Sequence, residues 1–577
     1  AFDATGVMTM KNKTPVPIDS LQLQVGSSVP NFKIRSLKWA GQELTKIHND
    51  TVHRYFIYRL PKPLLPGDSV QVEMTTHAEY RGFPNSGFGR EIVANGTFMN
   101  AGDIFPEIGY SPRGELTSEK YRKKYGLPIR EFDSYARTDE RGLRDFLFGN
   151  DADWMTFEGT VSTVPDQIAI LPGYLKKEWT ATGKDGQPRR YFSYKQDELS
   201  DLFFSVCSAR YAVTKDAVTM PNGEKIAVEI FHDPAHTRNV GRFVAGTKDA
   251  LTYFSREFRP FQFKQLRILE FPRYAGFAQS FPNTVPYSES FGWVGDFSDP
   301  DKTDYAYYVT AHEVAHQWWG HQVMPSATRG ANNIAEALAE YSSHMVLHHT
   351  YGPDVMQSRL KYALDQYLSG RAFESKAERP LVDNDAGAYI WYGKGTLTFY
   401  ALQDLIGEKR VNAALREYAN ATAFRQTGPN TTTDEWYAAI RKHTPDSLNY
   451  FLDDALRKIA LYENRVKKAE AKKLDGDRYQ VTLTVDTKKL YYDKKGAESG
   501  KGIAPDYVEI GIFTDDSKNK QGMTQKTPLL LTKQKLPPGE HKLTFTVKGK
   551  PVKAGIDPYN KLIDRVSDDN VMAVEGI

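Results

Sequence analysis

The chain has one cysteine in 577 residues, Cys207, so no intrachain disulfide can form. It lies in the apolar run Leu202-Phe-Phe-Ser-Val-Cys207, which reads as a buried strand with the thiol as a small core group rather than a nucleophile. One thiol suits a reducing or an oxidising compartment equally. No stretch approaches the roughly 18 consecutive apolar residues that argue for a spanning helix. No basic-then-apolar leader opens the chain, which starts at Ala1 and enters strand-like alternation almost at once. The expectation is a mature or excised piece of something longer. There is no large excess of one charge either: the formal net charge is +3, which gives no case for nucleic acid as a partner. Internal repeats and low-complexity tracts are missing as well.

What remains is an ordinary globular balance, 40% apolar and 25% charged. The length exceeds one hydrophobic core and calls for three or four domains of roughly 100–200 residues. Residues 1–202 read as a β-rich domain, with period-two alternation in Leu21–Val25, Val70–Met74 and Phe157–Val161. An irregular interruption runs from about Ser111 to Asn150 and contains the basic run Lys120-Tyr-Arg-Lys-Lys124, read as a solvated loop or helix face. Residues 203–463 begin with strands, Ala227–Phe231 and Leu266–Glu270, and continue as helices near 303–319, 333–350, 354–369, 394–406, 409–420, 433–442 and 447–460. Gly320, Gly352 and Gly407 stand where helices end, and Asn332 or Asn333 can cap the helix that follows them. Residues 464–577 return to strands in Tyr479–Val485, Tyr507–Phe513 and Lys542–Val547, which fit a small β-sandwich, with a lysine-rich exposed hairpin loop near 488–502. The fold class is therefore multidomain α+β.

The chemistry lies in His312-Glu313-Val-Ala-His316. Residues i and i+4 share one helix face, so two imidazoles there can reach one Zn²⁺. Glu313 sits beside them as a general base rather than a ligand. A hydrolytic zinc takes three protein ligands and leaves a position open. Glu336 and Glu340 lie one turn apart in the apolar segment Asn333-Ile-Ala-Glu-Ala-Leu-Ala-Glu-Tyr341; Glu336 is assigned to zinc, and Glu340 to orienting a ligand imidazole. His321, His344, His348 and His349 are read as ordinary polar residues.

His312-Glu-Val-Ala-His-Gln-Trp-Trp-Gly followed by Glu-Ala-Leu-Ala-Glu-Tyr341 resembles the M1 (gluzincin) family of metallopeptidases. The resemblance implies an N-terminal β domain, a thermolysin-like zinc domain, a C-terminal β-sandwich, one Zn²⁺ per chain and a peptide substrate. The family usually spaces its second histidine and glutamate by eighteen residues. Here nineteen intervene, which puts one extra residue in the connecting loop. The family's Tyr-x-Lys-Gly is matched by Tyr392-Gly-Lys394-Gly395, which implies that Tyr392 stabilises the transition state. Its Gly-x-Met-Glu-Asn, whose glutamate holds the free amine of an aminopeptidase substrate, is not matched. The corresponding stretch is Gly276-Phe-Ala-Gln279-Ser280, and aligning Pro-Tyr-Ser-Glu289 with the family's Thr-Tyr-Arg-Glu puts Ser280 at the amine-binding position. Gln279 and Ser280 could still line the cleft.

The segments Asp103–Tyr110, Gln279–Asn283 and Gly555–Asp564 look like an M1 branch similar to the peptidase regions fused behind ABC-transporter permease segments of bacterial membrane proteins. That resemblance implies an extracytoplasmic, tethered location and a permease segment outside this chain. The competing reading is a non-catalytic M1-like module that binds peptides or partners for a transporter.

Overall fold

The computed structural model describes residues 1–577 except 27–28, 81–88, 111–114, 130–133, 150, 375–377, 494–495, 521 and 577. Two four-stranded antiparallel sheets open the chain. One orders strands Phe2–Lys11, Ser69–Ala78, Lys33–Trp39 and Gln42–Glu43; the other orders Glu107–Ile108, Ile18–Gln24, Tyr55–Leu64 and Thr45–Asp50. Alternate side chains of both sheets share one core, with Leu23, Leu37, Val72 and Met74 at its centre. Such alternation packs one face and leaves the other to water. A three-stranded and a four-stranded sheet follow, the latter carrying Ser205–Ala209 with Cys207 fully buried, as its apolar setting predicts. The basic run forms the short helix Glu119–Lys124, with Lys120, Lys123 and Lys124 exposed and Arg122 turned inward to the carbonyls of Leu116 and Pro128. Parts of the 111–150 interruption lie outside the described residues.

The next sheet positions the site. Ala212–Thr219 pairs antiparallel with Lys225–His232, which pairs parallel with Gln265–Phe271, which in turn pairs parallel with the edge strand Thr284–Ser288. The crossover between the first parallel pair is a helix, Val240–Glu257, absent from the expected helices. Its two glycines and two threonines weaken helix propensity. Yet Phe243, Ala250, Leu251 and Phe254 recur at helical spacing and are buried, so tertiary burial decides the matter. Gly246 lets this helix approach Tyr305–Ala315 closely, because a Cβ there would stand 3.0 Å from the Tyr307 carbonyl.

Helices Leu338–Tyr351, Val355–Phe373, Gly395–Ile406, Glu408–Thr422, Thr433–His443 and Asn449–Arg457 follow near the expected places. Neither Asn332 nor Asn333 caps by its side chain; Asn333 instead donates through Nδ2 to the carbonyls of Leu381 and Asn384. Among the described residues, the C-terminal strands form three larger sheets and one two-stranded ribbon. The apolar core runs without a break from Val218 through the helices to Ile563, across residue 463. The lysine-rich 488–502 stretch is a hairpin, Lys489–Tyr492 with Glu498–Lys501, but the lysine that opens its first strand is not exposed. Lys489 Nζ sits 2.8 Å from both Asp454 and Asp506, tying the last helix to the C-terminal sheets. Among the described residues no helix is long and apolar enough to cross a membrane.

Candidate active site

The helix Tyr305–Ala315 starts at Asp304, whose carboxylate accepts from Tyr307 N–H at 3.0 Å and pairs with Arg242. Its end is pinned by two indoles. Trp318 donates to the Arg259 carbonyl at 2.7 Å and Trp319 to Ser342 Oγ at 2.9 Å. His312 and His316 thus leave the helix toward one point.

Their Nε2 atoms are 3.1 Å apart, and each lies 3.4 Å from Glu336 Oε2. Zinc bonds of about 2.0–2.1 Å at tetrahedral angles separate ligand atoms by roughly 3.3–3.4 Å, so the three donors fit one ion. Glu336 Oε2 is buried and has no hydrogen-bond partner, which marks a position a cation would satisfy. Burial disfavours charge on Glu336, but the adjacent imidazoles outweigh it and hold the carboxyl well below the usual carboxylate range.

Glu336 rides on a π turn, Asn333–Ala337, that runs into the helix Leu338–Tyr351. Bonding from i to i+5 takes one residue more than an α turn. The extra residue expected in the connecting loop can therefore be taken up by the helix that carries the ligand. A second π turn, Tyr389–Lys394, carries Tyr392, and the two turns meet where Gly395 faces Ala337; a Cβ on Gly395 would come within 2.6 Å of the Ala337 Cβ.

The remaining ring nitrogens each face an oxygen. His316 Nδ1 is 3.0 Å from the Trp319 carbonyl, and His312 Nδ1 is 3.1 Å from Glu340 Oε1. The bond to the Trp319 carbonyl fixes the His316 tautomer and leaves its Nε2 free to ligate, while Glu340 faces His312 Nδ1 as an ion-pair partner without hydrogen-bond alignment. Glu340 is buried, accepts from the Tyr308 hydroxyl at 2.6 Å, and faces His344 Nδ1 at 3.6 Å. Burial opposes its ionisation, yet His312 and the other nearby cationic groups bring it down to about 2. Arg359 stacks 4.0 Å over the Tyr308 ring and completes this buried row. Tyr308 and Arg359 were not singled out in the sequence. Tyr308 stands four residues before His312 on the same helix face, a spacing that could have found it; Arg359 reaches the row only through tertiary packing.

Glu313 is 6% exposed, and among the described residues no hydrogen bond or ion pair engages its carboxylate. Burial pushes its pKa up, partly offset by His312 and His316. The Tyr392 ring is 5.9 Å from the His312 ring, and burial together with Glu336 keeps the phenol protonated far above its ordinary range. Ser280 is buried, and its Oγ accepts from Gln317 Nε2 at 2.7 Å, one residue past His316. Gln279 is half-buried and held by its backbone N–H to the Pro286 carbonyl at 3.0 Å. His321, read as an ordinary polar residue, lies in this group, with Nε2 3.2 Å from the Ser280 carbonyl and Nδ1 3.3 Å from Asp201.

Residues 244–454 match the family model described as Peptidase family M1 domain. A search of curated proteins finds no match. Among solved structures, an M1 zinc metallopeptidase from Deinococcus radiodurans superposes with a TM-score of 0.52 at 15% identity, covering 79% of this chain and 89% of that one. Legionella pneumophila aminopeptidase A, solved with aspartic acid, gives 0.57 at 14% identity, covering all of this chain and 58% of its own. At such identities the structures establish a shared fold. A mutant of the Deinococcus protein has also been solved bound to a Tyr-Ser-Ala substrate, at 0.51 and 15% identity, covering 79% of this chain and 90% of that one. Matched domain, shared fold and converging ligand set lead to one assignment: residues 244–454 carry an M1-family peptidase domain, with a donor set that fits one zinc ion.

Proposed function

We propose that the chain hydrolyses peptide bonds with Glu313 as general base and Tyr392 as oxyanion donor, and that it does not depend on a free substrate N-terminus. The observation that carries the first part is the convergence of His312, His316 and Glu336 beside an unengaged Glu313 carboxylate. His312, His316 and Glu336 would hold a zinc ion, which would supply Lewis acidity toward the scissile carbonyl and a bound water. Glu313, which no described residue engages, takes the proton of the attacking water and returns it to the leaving amine. Tyr392, kept protonated, donates a hydrogen bond to the oxygen on which charge develops. Glu340, 3.1 Å from His312 Nδ1, places negative charge behind the ring whose Nε2 faces the ligand position.

The second part is supported by Ser280. At the aligned amine-binding position it offers a neutral hydroxyl already bonded to Gln317. An ammonium there would lack a charge-assisted partner, a loss of about 1.5–3 kcal/mol. The permease-fused resemblance supports a further proposal, that the chain works outside the cytoplasm; cell fractionation of the native protein tests it, and a cytoplasmic pool would overturn it.

Fluorogenic peptides with free and with acetylated N-termini, assayed with wild type and Glu313→Gln, test the reading. Wild type is expected to cleave both sets, and chelation to stop it. Glu313→Gln is expected to keep its zinc and lose about 10²–10⁴-fold in turnover. Cleavage of free peptides alone would restore aminopeptidase specificity. Absence of chelator-sensitive cleavage would favour a peptide-binding module.

A further inference from the structure

Among the described residues, one other trio of His and carboxylate side chains gathers its donor atoms closely enough to face one cation. His236, Glu270 and Glu289 each offer one atom, and these atoms lie within 4.8 Å of one another. They come from the carboxyl ends of three neighbouring parallel strands. His236 follows Lys225–His232, Glu270 is the last residue but one of Gln265–Phe271, and Glu289 directly follows Thr284–Ser288. Ligands of open α/β sheets bind at this edge, where the strand ends and their loops part.

The charges do not balance as they stand. His236 Nδ1 is 2.5 Å from Glu270 Oε1; the other Glu270 oxygen accepts from Asp233 N–H at 2.7 Å, and Glu289 Oε2 accepts from Arg273 N–H at 3.1 Å. Among the described residues no lysine or arginine side chain pairs with either carboxylate. Glu270 is only 5% exposed, and burial holds it above the usual carboxylate range in spite of His236. Two carboxylates beside one imidazole, with one carboxylate out of water, are short of positive charge.

We propose that His236, Glu270 and Glu289 form a second divalent-cation site, distinct from His312, His316 and Glu336, that takes Zn²⁺ on one nitrogen and two carboxylate oxygens with water completing the shell. A cation there clamps the segment after Phe271, which leads to Gln279 and Ser280, against the strand that leads to Glu289. The site lies outside the catalytic set and positions the cleft edge rather than acting on substrate.

Zinc titration of the metal-free chain, followed by elemental analysis, tests this. Wild type is expected to hold two ions, His236→Gln and Glu289→Gln one, His316→Gln one, and the His236→Gln/His316→Gln double variant none. A single ion in wild type, or two ions retained by His236→Gln and Glu289→Gln, overturns the proposal. In the His316→Gln background, zinc is expected to raise the Tm, and adding His236→Gln to abolish the rise. No rise in His316→Gln, or a rise that persists in the double variant, also overturns it, whatever the catalytic site does.

Discussion

Lys394 Nζ lies 2.9 Å from Glu378 Oε1, with the lysine side chain 1% and the glutamate 5% exposed. Glu378 also accepts from the Tyr367 hydroxyl at 2.7 Å and from Arg371 Nε at 2.6 Å. Burial alone would raise this carboxyl, but Lys394 and the other donors lower it below the usual range. Lys394 is the last residue of the π turn that carries Tyr392 two residues earlier, so the pair anchors the end of that turn.

Removing one member leaves the other charged and buried. Lys394→Met is expected to cost about 3 kcal/mol, the low end of the roughly 3–5 kcal/mol range for a broken buried pair, because Arg371 and Tyr367 stay. Glu378→Gln should cost a similar amount, and the double variant less than the sum. Urea denaturation of the four proteins checks this; strict additivity would show that the two residues do not act as a pair.

Tyr392→Phe removes the donor and keeps the ring. The expected outcome is a fall of about 10²–10³ in kcat with KM little changed, since the hydroxyl acts on charge that develops only in the transition state. An equal loss carried by KM would place Tyr392 in substrate binding instead.

Glu340→Gln keeps the volume behind His312 but removes the carboxylate charge that faces Nδ1. Zinc affinity is expected to fall about 10–100-fold, read by competition with a chromophoric chelator. Unchanged affinity would show that the Tyr308–Glu340 row serves folding alone.

Cys207 is fully buried, and burial pushes its thiol up to about 12 from 9.0. A raised acid binds more protons when folded than when unfolded. The stabilisation it gives is therefore complete below about pH 9 and is lost as pH rises toward about 12, at up to about 1.4 kcal/mol per unit. Native protein at neutral pH should resist thiol reagents, with labelling paced by opening of the fold. Prompt stoichiometric labelling would contradict the buried strand.

Residue order alone settles the elements whose signal is local. Helical spacing puts His312 with His316, and Glu336 with Glu340, on shared faces; period-two alternation marks the strands at both ends of the chain. The helix Val240–Glu257 escapes such reading, because low local propensity hides a segment that burial stabilises. The 488–502 stretch reads as exposed, because nothing nearby in sequence announces that Asp454 and Asp506 close around Lys489. Four further arrangements exist only in the packed molecule. Glu336 meets the imidazoles, two π turns bring Tyr392 beside them, Gln317 engages Ser280, and His236, Glu270 and Glu289 share one strand-end edge. Spacing within one helix or strand is fixed by backbone geometry and survives in the order of residues. Contacts between elements depend on how separate faces are buried against one another, which that order does not record locally.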